Sequence, residues 1–109
     1  MKMLIAILNS DDAPIVIQAL MKEGFYITKL STTGGFLRAG NTTLLLGVDD
    51  ERYQPAMDII EQVCKSRKQI ATSPSPVAGS ASVYVPYPIE VTVGGATIFV
   101  LEVEQFVKI

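Results

Sequence analysis

The residues best suited to chemistry lie between Thr28 and Gly47. Within Thr32-Thr33-Gly34-Gly35-Phe36-Leu37-Arg38-Ala39-Gly40-Asn41, three of ten residues are glycine. Gly34 and Gly35 tolerate positive φ and let successive backbone N–H groups turn toward an anion. Phe36 follows at once, and an aromatic ring beside such a turn can stack on a base. Thr28, Thr32 and Asn41 add hydroxyl and amide groups, and an Asn amide matches the donor–acceptor edge of adenine. Lys29 and Arg38 are the nearby basic residues, each able to meet a phosphate or to stand solvated. The same stretch also reads as a plain connection, with glycines for turn geometry and Phe36 in the core. The residues alone leave both readings open. The pattern is neither GxGxxG nor GxxxxGK[ST], and no strand-to-helix junction follows it, so dinucleotide-fold and P-loop chemistry are excluded on context.

Other chemistry has less support. There is no His, so imidazole catalysis and His metal ligation are absent. Cys64 is the single cysteine, which excludes an intrachain disulfide. Asp49, Asp50 and Glu51 could chelate a cation, but negative charge at the start of a helix accounts for them more simply. Cys64 repeats at helical spacing with Met57 and Ile60 and reads as core. No nucleophile is paired with a base, and the reading is of a non-enzyme without metal or cofactor. With 11 acidic and 9 basic residues and a net charge of -2, no basic field invites nucleic acid. No apolar run reaches the ~18 residues of a membrane span. The apolar start, residues 3–8, is followed by Asn9-Ser10-Asp11-Asp12 without a cleavage site, so it reads as a strand and not a leader. A cytoplasmic domain occupying residues 1–109 is expected.

The elements that must position these residues follow from periodicity. Residues 3–8 form an apolar run suited to a central strand. Asp11 or Asp12 can cap a helix over residues 13–23, with Pro14 in its first turn and Gly24 as its stop. Ile15, Val16, Ala19, Leu20 and Met21 give it a broad apolar stripe. Residues 25–32 read as a strand with Phe25 and Ile27 on one face and Tyr26, Thr28 and Leu30 on the other. Residues 42–48 make the next strand. A second helix begins near Pro55 and carries Met57, Ile59, Ile60, Val63 and Cys64 on its buried side. Residues 66–88 hold Pro74, Pro76, Pro86 and Pro88 and read as irregular. Residues 89–93 and 96–103 alternate as strands, and Gly94-Gly95 between them predicts a hairpin turn. Phe106, Val107 and Ile109 make the tail apolar enough to pack.

The order strand, helix, strand, strand, helix, strand, strand is the βαββαβ pattern of the ferredoxin-like fold with an extra C-terminal strand. The class is α+β, with both helices on one face of an antiparallel sheet. The opposite face needs a cover, with Leu44 and Leu46 or Ile98 and Val100 as its apolar surface. Such a face points to homo-oligomerisation.

Two long motifs carry a resemblance. Thr28-Lys29-Leu30-Ser31-Thr32-Thr33-Gly34-Gly35-Phe36-Leu37-Arg38-Ala39-Gly40-Asn41-Thr42-Thr43 is one. Val85-Pro86-Tyr87-Pro88-Ile89-Glu90-Val91, with Val93-Gly94-Gly95-Ala96-Thr97-Ile98-Phe99-Val100, is the other. Both closely resemble the cyclic-di-AMP receptors of the PII-like signal protein superfamily, and the element spacing extends the likeness over essentially the whole chain. The resemblance implies a homotrimer with three ligands in the clefts between subunits, a short T-loop near residues 33–41 and a long B-loop near 67–88. It implies a non-enzymatic sensor of a bacterial second messenger that signals to a downstream protein by loop rearrangement. Carried over residue by residue, Thr28 and Asn41 hydrogen-bond the ligand, Phe36 lines an adenine, and Gly35, Phe36 and Leu37 offer backbone N–H groups to phosphate. Gly47 admits the other base. Tyr26, Ile27, Phe99 and Lys108 are weaker positions, Phe99 and Lys108 coming from the neighbouring subunit.

There are departures. Family members often have Arg where Tyr26 stands, and a charge-assisted bond is worth about 1.5–3 kcal/mol against ~1 for a neutral one. Its loss alone corresponds to about tenfold in affinity or more. Gln is common where Lys108 stands, and Lys108 can restore positive charge. The stretch Val77-Ala78-Gly79-Ser80-Ala81-Ser82 lacks the acidic residue expected near Ser82. A second ligand reading keeps the trimer but gives it another nucleotide such as ATP, as in nitrogen-regulatory relatives, although no comparable basic cluster is found here. An enzyme using Asp49, Asp50 and a metal is the third reading.

Overall fold

The computed structural model describes residues 1–30, 40–76 and 84–109. Its first strand, β1 (Lys2–Asn9), buries Leu4, Ala6 and Leu8 and turns Met3, Ile5 and Ile7 the other way. That alternation is hidden in the apolar run, because one face meets helices and the other is apolar without them. Helix α1 (Ala13–Lys22) starts with Pro14 in its first turn. Asp12 stands at the N-cap position, but its side chain makes no capping bond. The helix stops at Gly24, whose φ is +85°. There the Gly24 amide donates to the Met21 carbonyl and the Phe25 amide to the Leu20 carbonyl, each at 3.0 Å. This is a Schellman ending, and Phe25 is buried behind it. The α1 stripe is narrower than expected: Ala13, Val16 and Leu20 are buried, whereas Ile15 and Met21 are exposed.

The second strand starts later than the expected residue 25: β2 is Thr28–Leu30, and the last two residues of the expected span, 31–32, lie outside the described residues. Strand β3 (Asn41–Val48) follows residue 40, then a 3-10 turn (Asp50–Arg52) and α2 (Tyr53–Cys64). Ala56, Ile60 and Cys64 are the buried line of α2, with Met57, Ile59 and Val63 partly buried beside it. The 3-10 turn uses its acids locally, since Asp50 pairs with the Met1 amino group at 3.2 Å.

Two sheets result. One has four antiparallel strands in the order β2-β3-β1-β6, with β6 at Ala96–Glu102. This is the strand order of the ferredoxin-like fold, with both helices contributing to one core against Leu4, Leu8, Leu44 and Leu46. The other sheet is a two-stranded ribbon of β4 (Arg67–Pro76) and β5 (Tyr84–Val93).

The ribbon corrects three expectations. Within the stretch 66–88 expected to be irregular, 67–76 and 84–88 are paired strand, and 77–83 lie outside the described residues. Gly94-Gly95 is not a hairpin turn: β5 pairs with β4 and β6 with β1, so the two glycines, at φ +83° and +85°, pass the chain between sheets. The additional strand therefore lies in the ribbon and not beyond the βαββαβ unit, whose last place β6 takes. The prolines misled for a physical reason. Pro74 stands opposite Pro86, and two prolines can exchange no N–H···O bond. That pair is a non-hydrogen-bonded one, and by the two-residue alternation so are Thr72–Pro88 and Pro76–Tyr84. All four prolines then lack N–H groups only on the outer edges, where their absence discourages further strand pairing.

The ribbon projects from the body. The Cα radius of gyration is 18.7 Å, with extents of 65 × 30 × 20 Å, against ~13 Å for a compact chain of this length.

Candidate functional site

Cross-strand register gives the helix-free face. Residues directly opposite share a face, so Thr28, Leu45, Ile5 and Phe99 form one row across all four strands. Gly47 and Met3 with Leu101 form the next row. Phe99 and Leu101 are half exposed, and Tyr26 is 89% exposed. Leu44 and Leu46, with Ile98 and Val100 opposite Ala6 and Leu4, belong to the helix side and not to this face as expected. In the run Leu44-Leu45-Leu46 nothing in the residue types says which parity faces the helices.

A cleft of ≈ 680 Å³ opens on this face, lined by Met1, Met3, Tyr26, Ile27, Thr28, Leu45, Gly47, Asp49, Phe106 and Lys108. Its floor is the Met3–Gly47 and Thr28–Leu45 pairs, and its wall is the C-terminal tail. Gly47 has ordinary strand geometry, and a Cβ built there would meet nothing within 4 Å. The lack of a side chain therefore opens space over the floor and is not required by the backbone. Lys108 supplies positive charge at the rim. Asp49 supplies negative charge and, though placed to cap the 3-10 turn, makes no capping bond.

Five of the expected ligand positions meet here: Tyr26, Ile27, Thr28, Gly47 and Lys108. Asn41 does not. It lies on the same parity of β3 as Gly47 but six residues away, roughly 20 Å along the strand. There it lines a hollow of ≈ 290 Å³ with Asn9, Gly94, Gly95 and Thr97. Phe99 shares the row of Thr28 but stands three strands off, ~14 Å at the usual spacing. Gly35, Phe36 and Leu37 lie outside the described residues. Met1, Met3, Leu45, Asp49 and Phe106 line the cleft without having been singled out. For Met3 and Leu45 the residue types carried no signal, because each sits in a continuous apolar run. The tail does not pack as expected within one chain: Phe106 is 63% and Val107 64% exposed.

Electrostatics separates structural charges from those facing the cleft. The Arg52 guanidinium lies 4.1 Å from the Phe25 ring and donates to the Glu23 carbonyl. Lys2 is hydrogen-bonded to Glu102, which holds its pKa above the usual lysine value against a smaller desolvation effect. The Cys64 thiol is pushed up to about 11, chiefly by burial and secondly by the Asp12 carboxylate, so at neutral pH it is a protonated core group. Among the described residues, no three acidic or thiol side chains gather as a metal site, and no helix is long and apolar enough to cross a membrane.

The model of the cyclic-di-AMP receptor family matches residues 1–109, the whole length given. The chain belongs to the cyclic-di-AMP receptor family. It is also similar to a solved structure, described as a functionally unknown protein from Pediococcus pentosaceus ATCC 25745, at 38% identity and a TM-score of 0.76, covering 99% of this chain and 96% of that one. Membership in this receptor family supports binding of the second messenger cyclic di-AMP and points to a binding protein rather than an enzyme.

Proposed function

We propose that this receptor is a cytoplasmic homotrimer that binds cyclic di-AMP between subunits and relays occupancy through residues 33–41 and the ribbon to a protein partner. The observation that carries the reading is the cleft on the helix-free face, where Tyr26, Ile27, Thr28, Gly47 and Lys108 come together. An adenine needs a flat apolar floor and a few polar groups at its edge, and Met3, Leu45 and Gly47 beside Thr28 supply them. The ligand carries two phosphates, and Lys108 and the Tyr26 hydroxyl are the cleft groups suited to them.

The trimer is supported by surface chemistry. Phe99, Leu101 and Phe106 are all at least half exposed in one chain, and so apolar a sheet face is a cost unless another subunit covers it. Asn41 and Phe99 are too far from the cleft to complete it within one chain, and assembly brings a neighbour's residues to its rim. The short T-loop and the ribbon, as the B-loop, are then the two segments whose arrangement depends on ligand. Only a difference in affinity between loop states can carry the signal.

Isothermal titration with cyclic di-AMP, cyclic di-GMP and ATP, beside sedimentation velocity, tests the reading. The expected result is a trimer taking about one cyclic di-AMP per subunit, with Asn41→Ala still trimeric but without tight binding. Binding of ATP alone would transfer the site to another nucleotide. Wild-type affinity in Asn41→Ala would remove Asn41 from it.

A further inference from the structure

Residues 9–12, between β1 and α1, touch both segments that a binding signal has to connect. On one side they hold the entry to β3. The Ser10 amide donates to the Gly40 carbonyl at 2.6 Å, and Ser10 Oγ lies 2.7 Å from Thr42 Oγ1. Asn9 stands opposite Asn41 in the β1–β3 register. On the other side they hold the root of the ribbon. Asp12 Oδ1 accepts from Arg67 Nη2 at 3.0 Å, and Arg67 is the first residue of β4.

This second contact has the construction of a fixed joint. Asp12 is 3% exposed, and its Oδ2 is buried with no partner among the described residues. The guanidinium that meets this buried carboxylate is itself half exposed, and removing it would leave the buried group without its ion-pair partner. Arg67 is fixed in turn, its Nη1 donating to the Lys65 carbonyl at 3.3 Å. At Gly94, φ +83°, a Cβ would come within 2.7 Å of that nitrogen and 3.0 Å of the Lys65 carbonyl oxygen, so a side chain there would be strained and would displace the guanidinium. Between the two sides the turn is internally tied: the Asp11 amide donates to Asn9 Oδ1 at 2.8 Å and the Asp12 amide to the Asn9 carbonyl at 3.0 Å. Asp12 thus occupies a helix-capping position without capping, and its carboxylate serves the ribbon.

We propose that the 9–12 turn is a coupling element, with Ser10, Asp12 and Arg67 as positioning residues that link the setting of residues 40–42 to that of the ribbon root. It deepens the receptor reading, since it names the route by which ligand contacts near Asn41 reach the ribbon. Coupling of this kind is reciprocal, so a change at either end should be felt at the other.

Hydrogen exchange on the full, ligand-free chain tests it from both ends. Thr42→Val removes the hydroxyl contact while keeping side-chain shape. It should speed exchange at least threefold not only at 40–43 but at 67–70 and 90–93. Asp12→Asn neutralises the joint from the ribbon side and should speed exchange at 40–43 to a similar degree. Combined in one chain, the two substitutions should have less than additive effects. If each variant loosens its own side only, the proposal is overturned. Should Asp12→Asn fail to fold, the distant effect of Thr42→Val decides alone. Titration of the wild type with cyclic di-AMP is run in parallel: cross-effects without binding would sink the receptor reading and keep the coupling, and binding without cross-effects would do the reverse.

Discussion

Gly47 offers a way to separate binding from folding. Gly24, Gly40, Gly94 and Gly95 have φ between +83° and +92°, where a side chain is strained, but Gly47 is not among them and a Cβ there meets nothing within 4 Å. In Gly47→Val the unfolded chain loses freedom, worth about 0.4–1 kcal/mol in favour of the fold, and a β-branched residue suits mid-strand. Stability should therefore match or exceed wild type. Binding should not survive, because the new methyls stand on the cleft floor between Met3 and Leu45. A base lifted off that floor loses on the order of twenty atom contacts at ~0.1–0.2 kcal/mol each, or about 2–4 kcal/mol. In Kd that is roughly 30- to 1000-fold. Calorimetry with cyclic di-AMP reads the affinity, urea unfolding the stability and sedimentation the assembly. Binding within threefold of wild type would refute the placement of a base over Gly47. Destabilisation by more than about 1 kcal/mol would refute the open space from which the reasoning starts. Loss of assembly would move Gly47 from the ligand site to the subunit interface.

Three further outcomes are expected. Leu46→Ala, at a fully buried position, should lower the unfolding free energy by about 2–5 kcal/mol, whereas Leu45→Ala on the opposite face should cost less than half as much; equal losses would contradict the face assignment. Phe99→Lys, on the exposed row, should turn the proposed trimer into folded monomers by sedimentation, and an unchanged assembly would take that row out of the interface. The raised Cys64 pKa means that the folded chain keeps a proton the unfolded chain releases above pH ~9. Its stabilising contribution is present below that pH and lost as pH climbs toward about 11. The stability gap between wild type and Cys64→Ala should then shrink by roughly 2–3 kcal/mol over that range, and a constant gap would contradict it.

What could be read from residue types was whatever one local rule decides. Gly24 after an amphipathic helix can only be a stop, and the Schellman bonds are found there. Helix α2 was legible because Ile60 and Cys64 repeat at one helical spacing. The misreadings arose where two rules compete and long-range pairing chooses. Proline-rich stretches normally exclude strands, yet a ribbon accepts four prolines once register sets them all in non-hydrogen-bonded pairs. Gly-Gly between two strands normally means a hairpin, but each flanking strand found its partner elsewhere, β4 for one and β1 for the other. Asp12 is a helix cap by position, but Arg67, 55 residues away, claims its carboxylate.

The site divides the same way. Tyr26, Thr28 and Gly47 were reached through motif resemblance, and the fold brings them to one cleft. Met3 and Leu45 were hidden in apolar runs whose outward parity no residue type reveals. Asn41 and Phe99 stay roughly 14–20 Å away along and across the sheet, a separation that no side chain spans. On the proposed reading a second copy closes this dispersed surface, and assembly and ligand binding should then be linked: what holds subunits together would also complete the pocket, and ligand at the interface would stabilise the assembly in return.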